Sequence, residues 1–479
     1  MTAGRRRAVP ALGLLLLTAA AAPCAKPQTA ADSARWQSLA AELEAIQREN
    51  RVPVLILAIL DEGRPALLHT STYGSGTGFR PSSPFRWGSI SKTVTALALM
   101  EAARRHGIAL STPVPELLDP LPYRNPWGPT QPVRLAHLLE LTAGFADLSA
   151  DELNDNRPLP LARALSRGAD RRVLLWPPGL QHSYSNVAPG ISSAVVERLS
   201  GLPFEQAARR LVFEPLGMAP ASFEPVAGLP GGFRANGRTP IPYWHMTFPA
   251  FGALNASPEA MTRLLEALLN RGRLDGRAAL APTVVERLFR METSLAARHG
   301  LEVGYGAGVY GWLHGGHRFH GHGGDADGYR SRFGLLTGFG RGYLLGINVD
   351  HPSLLRRLQQ RVEQALTEDL PDPELPPVAR LPERQLARYA GRWYPSAARF
   401  GVGAWQQGHA SRAEVRVRAG GLELRHRGRS TRLVPVDATR FRRPSDSAVT
   451  AVFAEHDGRL YLQGELGNFV RESGDEPVR

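Results

Sequence analysis

The sequence predicts an α+β protein in two parts: an antiparallel sheet flanked by helices with a helical insertion, then a small all-β barrel or sandwich. Three observations predict it. Strand-like apolar runs stand near both ends of the segment 33–369, with helix-patterned stretches between them. A proline-rich stretch, residues 370–384, then reads as a linker. From 385 to 479 the texture changes to short alternating segments separated by glycine-containing turns.

Residues 1–25 stand apart from both. Arg5, Arg6 and Arg7 precede an apolar run from Ala11 to Ala22, and small residues follow, which is the layout of a secretory signal peptide. The run is shorter than the roughly 20 residues of a membrane span, and no later apolar run is long enough. The expectation is therefore an exported protein, periplasmic or extracellular, with no transmembrane span. Cys24 is the only cysteine, so the mature part forms no internal disulfide. Pro23 directly before it argues against a lipid-anchored cysteine.

In the first part, a helix is expected from Asp32 to Asn50, since Trp36, Leu39, Leu43 and Ile46 recur at helical spacing. Val52 to Leu60 reads as a buried strand, Asp61-Glu62-Gly63 as a turn and Pro65 to Thr70 as the return strand. Gly74, Gly76 and Gly78 form a loop but no phosphate cradle, because no Gly-Lys-Ser/Thr follows, and no cofactor is implied. A buried helix starts near Ser89 and stops at Gly107, with Arg104, Arg105 and His106 in its last turn. Leu110 to Pro178 reads as the helical, loop-rich insertion. Further helices are expected over Val187–Leu199 and from Ser257-Pro258-Glu259, an N-cap followed by a proline and an acid. Strands His317–Gly321, Tyr329–Leu336 and Tyr343–Val349 and a helix Ser353–Glu368 close this part. In the second part, Asp457-Gly458 between apolar runs is a hairpin signal.

The net charge is +13, and from Arg380 onward arginine outnumbers the acids. No zinc-finger spacing, aromatic ribonucleoprotein motif or lysine-rich tract accompanies it, so nucleic acid is not the expected partner. Weak attraction to anionic cell-envelope polymers is the expectation that this charge supports. His314, His317, His320 and His322 have ligand-like spacing, but an exposed histidine-rich hairpin is expected there rather than a metal site.

Of 57 lysines and arginines only Lys26 and Lys92 are lysines. A surface cation can be either type, but a buried proton acceptor cannot be arginine, which stays protonated. Lys92 follows Ser89 by three positions, so the two share one face of a helix start. A hydroxyl beside an amine there is a nucleophile and base, with free N–H groups for an oxyanion. Two more short motifs follow in order, Tyr184-x-Asn186 and His322-Gly323-Gly324.

On these motifs and their order, the chain resembles the serine β-lactamase and penicillin-binding protein superfamily, on the side of class C enzymes and related esterases and D-amino-acid peptidases. The resemblance covers about residues 33 to 367, including Phe85-Arg86-Trp87, Leu138 to Phe145, Pro178-Gly179 and Pro215-Leu216-Gly217-Met218. It implies a β-lactamase-like catalytic domain. Ser89 would be the nucleophile, and Lys92 would help deprotonate it. Tyr184 would be general base and then acid, and Asn186 would orient Lys92 and the substrate. His322, Gly323 and Gly324 would form a cleft-edge strand that lets the substrate backbone come close, and Asp325 would join Ser89 in the oxyanion hole. Many relatives that bind penicillin carry lysine where His322 stands, so the expected substrate is a small-molecule or peptide ester or amide, with Arg330 or Arg332 compensating for the missing cation. The competing expectation is a non-catalytic envelope-binding or sensor protein; the basic residues 385–479 are where a binding role would reside, so deleting them should abolish envelope binding while leaving any hydrolysis of a small ester.

Overall fold

The computed structural model describes residues 30–74, 78–397, 399 and 412–472. The signal segment with Cys24, and Gly76, lie outside the described residues. The expected pattern of helices and strands holds, with shifted ends. Helix α1 spans Ala30–Glu49, strand β1 Val54–Asp61 and strand β2 Arg64–Thr72. Helix α2 spans Ser91–Arg105, α3 Val187–Ser200 and α4 Pro258–Leu269. Strands β3 (Tyr310–His314), β4 (His317–Ala326), β5 (Tyr329–Leu336) and β6 (Arg341–Ile347) lead into helix α5 (Pro352–Thr367).

One antiparallel sheet is built from both ends of this segment, in the order β3–β4–β5–β6–β1–β2. Strand β1 explains why its sequence is a continuous apolar run. Val54, Ile56, Ala58 and Leu60 face one core with α2, α3 and α4, while Leu55, Leu57 and Ile59 face another with α1 and α5. A strand covered on both faces has no polar side. Helix α2 is buried from Ser91 to Ala103, as its apolar sequence requires. Ser257 caps α4 by accepting from the Ala260 N–H, as expected.

Two differences bear on function. Ser89 does not open an α-helix. It sits in a 3-10 turn, Gly88–Ile90, that leads into α2. Gly88 adopts φ +56, and the Ser91 hydroxyl donates to its carbonyl at 2.7 Å. Strand β4 also runs five residues beyond Gly321 and carries His322 to Asp325 within it. Strand β3, a short half-buried segment that the sequence reading did not identify, pairs only from His317 to Gly321. The second half of β4 is thereby left as an open edge, which is where a substrate strand could lie.

The second part is a closed eight-stranded barrel rather than a sandwich. Its strands are β7 (Gly391–Pro395), β8 (Ala413–Arg418), β9 (Gly421–His426), β10 (Arg429–Pro435), β11 (Arg440–Arg442), β12 (Ala451–His456), β13 (Arg459–Gly464) and β14 (Gly467–Arg471). Closure comes from β7 pairing with β14. Tyr389, Trp393, Phe441 and Phe453 fill the centre, with the Tyr389 and Phe453 rings stacked at 4.1 Å. Asp457-Gly458 makes the expected hairpin, both residues at positive φ.

The barrel packs directly on the first part. Gln463 accepts from the Ala296 N–H at 3.0 Å and donates to the Leu180 carbonyl at 3.0 Å. Asn468 donates to the His182 carbonyl at 2.8 Å, and Gln181 and Ser396 exchange two hydrogen bonds. Around these polar pairs Trp176, Leu180, Leu295, Val449, Val452 and Tyr461 form a shared apolar cluster. Buried polar groups satisfied this fully fix one docking geometry.

Candidate active site

The turn before α2, the start of α3 and the open half of β4 meet at a cleft of about 430 Å³. Ser89, Tyr184, Asn186, His322, Gly323 and Asp325 all line it. Lys92 lies beneath, 3% exposed. Its Nζ is 3.0 Å from Ser89 Oγ, 2.7 Å from Asn186 Oδ1 and 2.9 Å from the Phe251 carbonyl oxygen. Ser89 and Tyr184 face the same cleft. The ring of Tyr184 lies between two cations, with Lys92 Nζ at 4.8 Å and Arg399 Cζ at 4.7 Å from its centroid.

Asn186 occupies the N-cap position of α3, but its side chain does not cap the helix. It turns instead to Lys92 and to Asp147, which accepts from Asn186 Nδ2 at 3.2 Å and from the Asn186 N–H at 2.7 Å. Asp147 also accepts from the Leu148 N–H at 2.9 Å and from Arg399 Nε at 2.8 Å. Arg399 comes from the loop after β7, so the barrel reaches the catalytic network through one carboxylate.

Burial pushes the Lys92 amine well below its ordinary value. Asp147 and Asp325 oppose the shift, and Arg399 adds to it. Burial pushes the Tyr184 phenol up, against the Ser89 hydrogen bond and the Arg399 charge. His322 is pushed down to about 3 by burial and by the charge of Lys92, against a bond to the Gly323 carbonyl. Its Nε2 meets the Tyr305 hydroxyl at 3.1 Å. His322 is thus a buried neutral imidazole, not a titratable replacement for a lysine.

The glycines after it serve packing more than substrate approach. A Cβ on Gly324 would stand 1.8 Å from the Trp87 carbonyl oxygen, and one on Gly88 would stand 2.7 Å from the Asp325 nitrogen. The nucleophile turn and β4 therefore touch backbone to backbone. The space beside Gly323 is taken by Arg332, whose Cζ would lie 2.9 Å from a Cβ there.

The two arginines on β5 differ. Arg330 is held by Asp325 at 2.6 Å and by Asp350 at 2.9 Å. Arg332 lies over the Tyr310 ring at 5.7 Å, lines the cleft and pairs with no carboxylate among the described residues. Its Nε is buried without a hydrogen-bond partner. The histidines do not converge. His314 pairs with Glu363 on α5 at 3.2 Å, whereas His322 lines the cleft, and among the described residues no three His, Cys, Asp or Glu side chains are placed to hold a metal.

Sequence reasoning missed Asp147, Phe251, Arg399, Tyr305 and Tyr310. Asp147 had a signal, an acid inside the apolar run from Phe145 to Leu148. Phe251 acts through its carbonyl, which no side-chain pattern reveals. Arg399 is one arginine among many.

The family described as Beta-lactamase matches residues 39–367. A beta-lactamase of Escherichia coli K12 is 30% identical over 42% of this chain and 50% of its own length. Esterase EstB of Burkholderia gladioli is 30% identical over 39% of this chain and 52% of its own length. The chain thus spans about half the length of the curated relatives it matches. In fold it resembles the octameric penicillin-binding protein homologue of Pyrococcus abyssi, at 21% identity and TM-score 0.57, over 91% of this chain and all of that one. SurE is similar over 92% of this chain and all of its own, at 21% identity and TM-score 0.60.

Proposed function

Since the chain belongs to the beta-lactamase family, we propose that it is an exported serine hydrolase that cleaves an ester or peptide amide through a Ser89 acyl-enzyme, with little turnover of β-lactams. The observation that carries this is the set of three partners around Lys92 Nζ. A neutral amine has two N–H bonds and one lone pair. The Asn186 and Phe251 oxygens accept the two N–H bonds, which leaves the lone pair directed at the Ser89 hydroxyl. Burial favours that neutral form and keeps Tyr184 protonated. The base is then Lys92, and Tyr184 is the acid.

Ser89 Oγ attacks the acyl carbon as its proton passes to Lys92. The N–H groups of Ser89 and Asp325 receive the carbonyl oxygen. The bond to the leaving oxygen or nitrogen breaks as Tyr184 gives it a proton, and Lys92 restores the proton to Tyr184. Water repeats the sequence in reverse roles and releases the acid. The neutral, buried His322 offers no charge to the carboxylate of a β-lactam, and Arg330 is neutralised by its two acids. Arg332 is the cation left for an anionic substrate. An esterase among the relatives supports ester cleavage as within reach of this framework.

The test is intact mass after incubation with a fluorophosphonate and, separately, a penicillin. A fluorophosphonate adduct on the wild type that is lost in Ser89→Ala is the expected result. A lasting penicillin adduct favours a peptidase-like site, and none an esterase-like one. No adduct with either reagent would overturn the hydrolase reading in favour of a binding protein.

A further inference from the structure

A second cavity, of about 280 Å³, lies behind the catalytic tyrosine. It shares Tyr184 and Tyr310 with the cleft, so the two adjoin at those rings. Met291, Leu301, Val303 and Tyr305 give it apolar walls. Thr142, His182 and Ser294 add polar groups, and the barrel contributes Gln463, Gly464, Glu465 and Asn468. Glu465 is already paired with Arg443 at 2.6 Å, so the cavity does not call for a cation. His182 Nε2, by contrast, is buried without a hydrogen-bond partner. Its ring stacks on Tyr305 at 5.1 Å, and burial holds it neutral, at about 4.

We propose that this cavity is the leaving-group subsite, and that it receives an apolar side chain of leucine to phenylalanine size on the departing alcohol or amine. This rests on the acyl-enzyme reading above. Along β4 the oxyanion donor Asp325 stands at one end of the edge and His322 at the other. Tyr184 protonates the leaving atom, so the group that departs lies on the tyrosine side, where the second cavity adjoins the cleft. The opposite end of the cleft is lined by Asn154, Asp327 and Asp350 and is polar. The apolar half of the substrate thus belongs to the leaving group, and the barrel, by walling the cavity, sets how large it can be.

The experiment compares acetate esters of methanol, 3-methylbutanol and 2-phenylethanol on the full chain. The expected result is a kcat/KM at least about tenfold higher for the two larger alcohols than for methanol. Leu301→Trp and, separately, Val303→Trp fill the cavity and bring that ratio toward one, however far the methyl ester rate itself moves. A third arm needs no variant: 3-methylbutanol added to the reaction should capture the acyl-enzyme better than methanol does. Equal rates across the alcohols, with no preferred capture, would sink the subsite. So would a filled cavity that alters preference along a series of acyl chains on methanol instead. A protein with no fluorophosphonate adduct and no esterase activity fails at the earlier reading, whereas an adduct without leaving-group preference fails only here.

Discussion

The two sides of the cleft are built by different means. Around Ser89, the parts are close in sequence. Ser89 and Lys92 share one turn and the start of α2, and Tyr184 and Asn186 lie two apart before α3. Around the other side, the parts are gathered from a distance: Asp147 from a loop, the Phe251 carbonyl from a short helix, Tyr305 and Tyr310 from the approach to β3, and Arg399 from the barrel. On the proposed reading, the first side sets which atoms react, and the second sets their protonation and the shape of what enters. A protein that kept the first and changed the second would keep the chemistry and change the substrate.

Asp147 is where the two sides meet, so its loss should have the largest effect. Asp147→Ala leaves the Asn186 and Leu148 donors and the Arg399 guanidinium without their acceptor. Each buried donor so orphaned costs about 1–3 kcal/mol. Asn186 loses its anchor, and a small displacement of Lys92 costs roughly a hundredfold in rate. A lower melting temperature and a kcat/KM down by about that factor are expected with any ester that the wild type cleaves. A variant of unchanged kcat/KM would show that the network does not hold Lys92.

Arg399→Ala separates the barrel's electrical contribution from its bulk. The Arg399 side chain is 48% exposed, so its pair with Asp147 contributes under about 1 kcal/mol to stability. Its charge nevertheless helps to hold the Lys92 amine down. Without it Lys92 takes up its proton at higher pH, and the acid limb of the kcat/KM profile moves up. A melting temperature close to wild type with a displaced limb is the expected pair of results. An unmoved limb would mean that the barrel acts by shape alone. Either outcome bears on the expectation that residues 385–479 can be removed without touching hydrolysis, which the placement of Arg399, Gln463 and Asn468 argues against.

Arg332→Leu probes the same side with a smaller, selective effect. A charge-assisted hydrogen bond to a substrate carboxylate is worth about 1.5–3 kcal/mol. Activity on an ester with a free carboxylate should fall by at least about tenfold, and activity on its neutral methyl counterpart should fall less. Equal losses on both would mean that Arg332 supports the Tyr310 ring rather than the substrate.

This division also marks what a reader of the sequence could find. Local spacing fixes local geometry, so Ser89-x-x-Lys92 and Tyr184-x-Asn186 were legible, and so was the sheet, because β1 is apolar on both faces and strand-like runs stand near both ends of the segment. The barrel was legible as an all-β unit from the Asp457-Gly458 hairpin and its neighbours. Its closure was not, since β7, β11 and β14 are short and carry no turn signal of their own. Arg399 was hidden for a related reason: a contact between residues 252 apart in sequence leaves no local pattern. The charge state of His322 was not legible, because it depends on burial, which the order of residues does not state.

That burial yields the smallest and most diffuse effect, spread over the catalytic body. His137, His182 and His320 are held down to about 4 and His322 to about 3, each chiefly by burial. The unfolded chain protonates a histidine below about 6.5. Between the two values only the unfolded state binds the proton, so stability is complete above about pH 6.5 and drains as pH falls toward 4. Each histidine contributes on the order of 1–3 kcal/mol to that loss. The melting temperature should therefore fall steadily from pH 7 to pH 4. His320→Phe should flatten the slope, since a phenyl ring against Phe289 keeps the apolar contact and takes up no proton. A slope unchanged in that variant would show that His320 takes up its proton as readily inside the fold as in the unfolded chain, and that its burial does not hold it neutral.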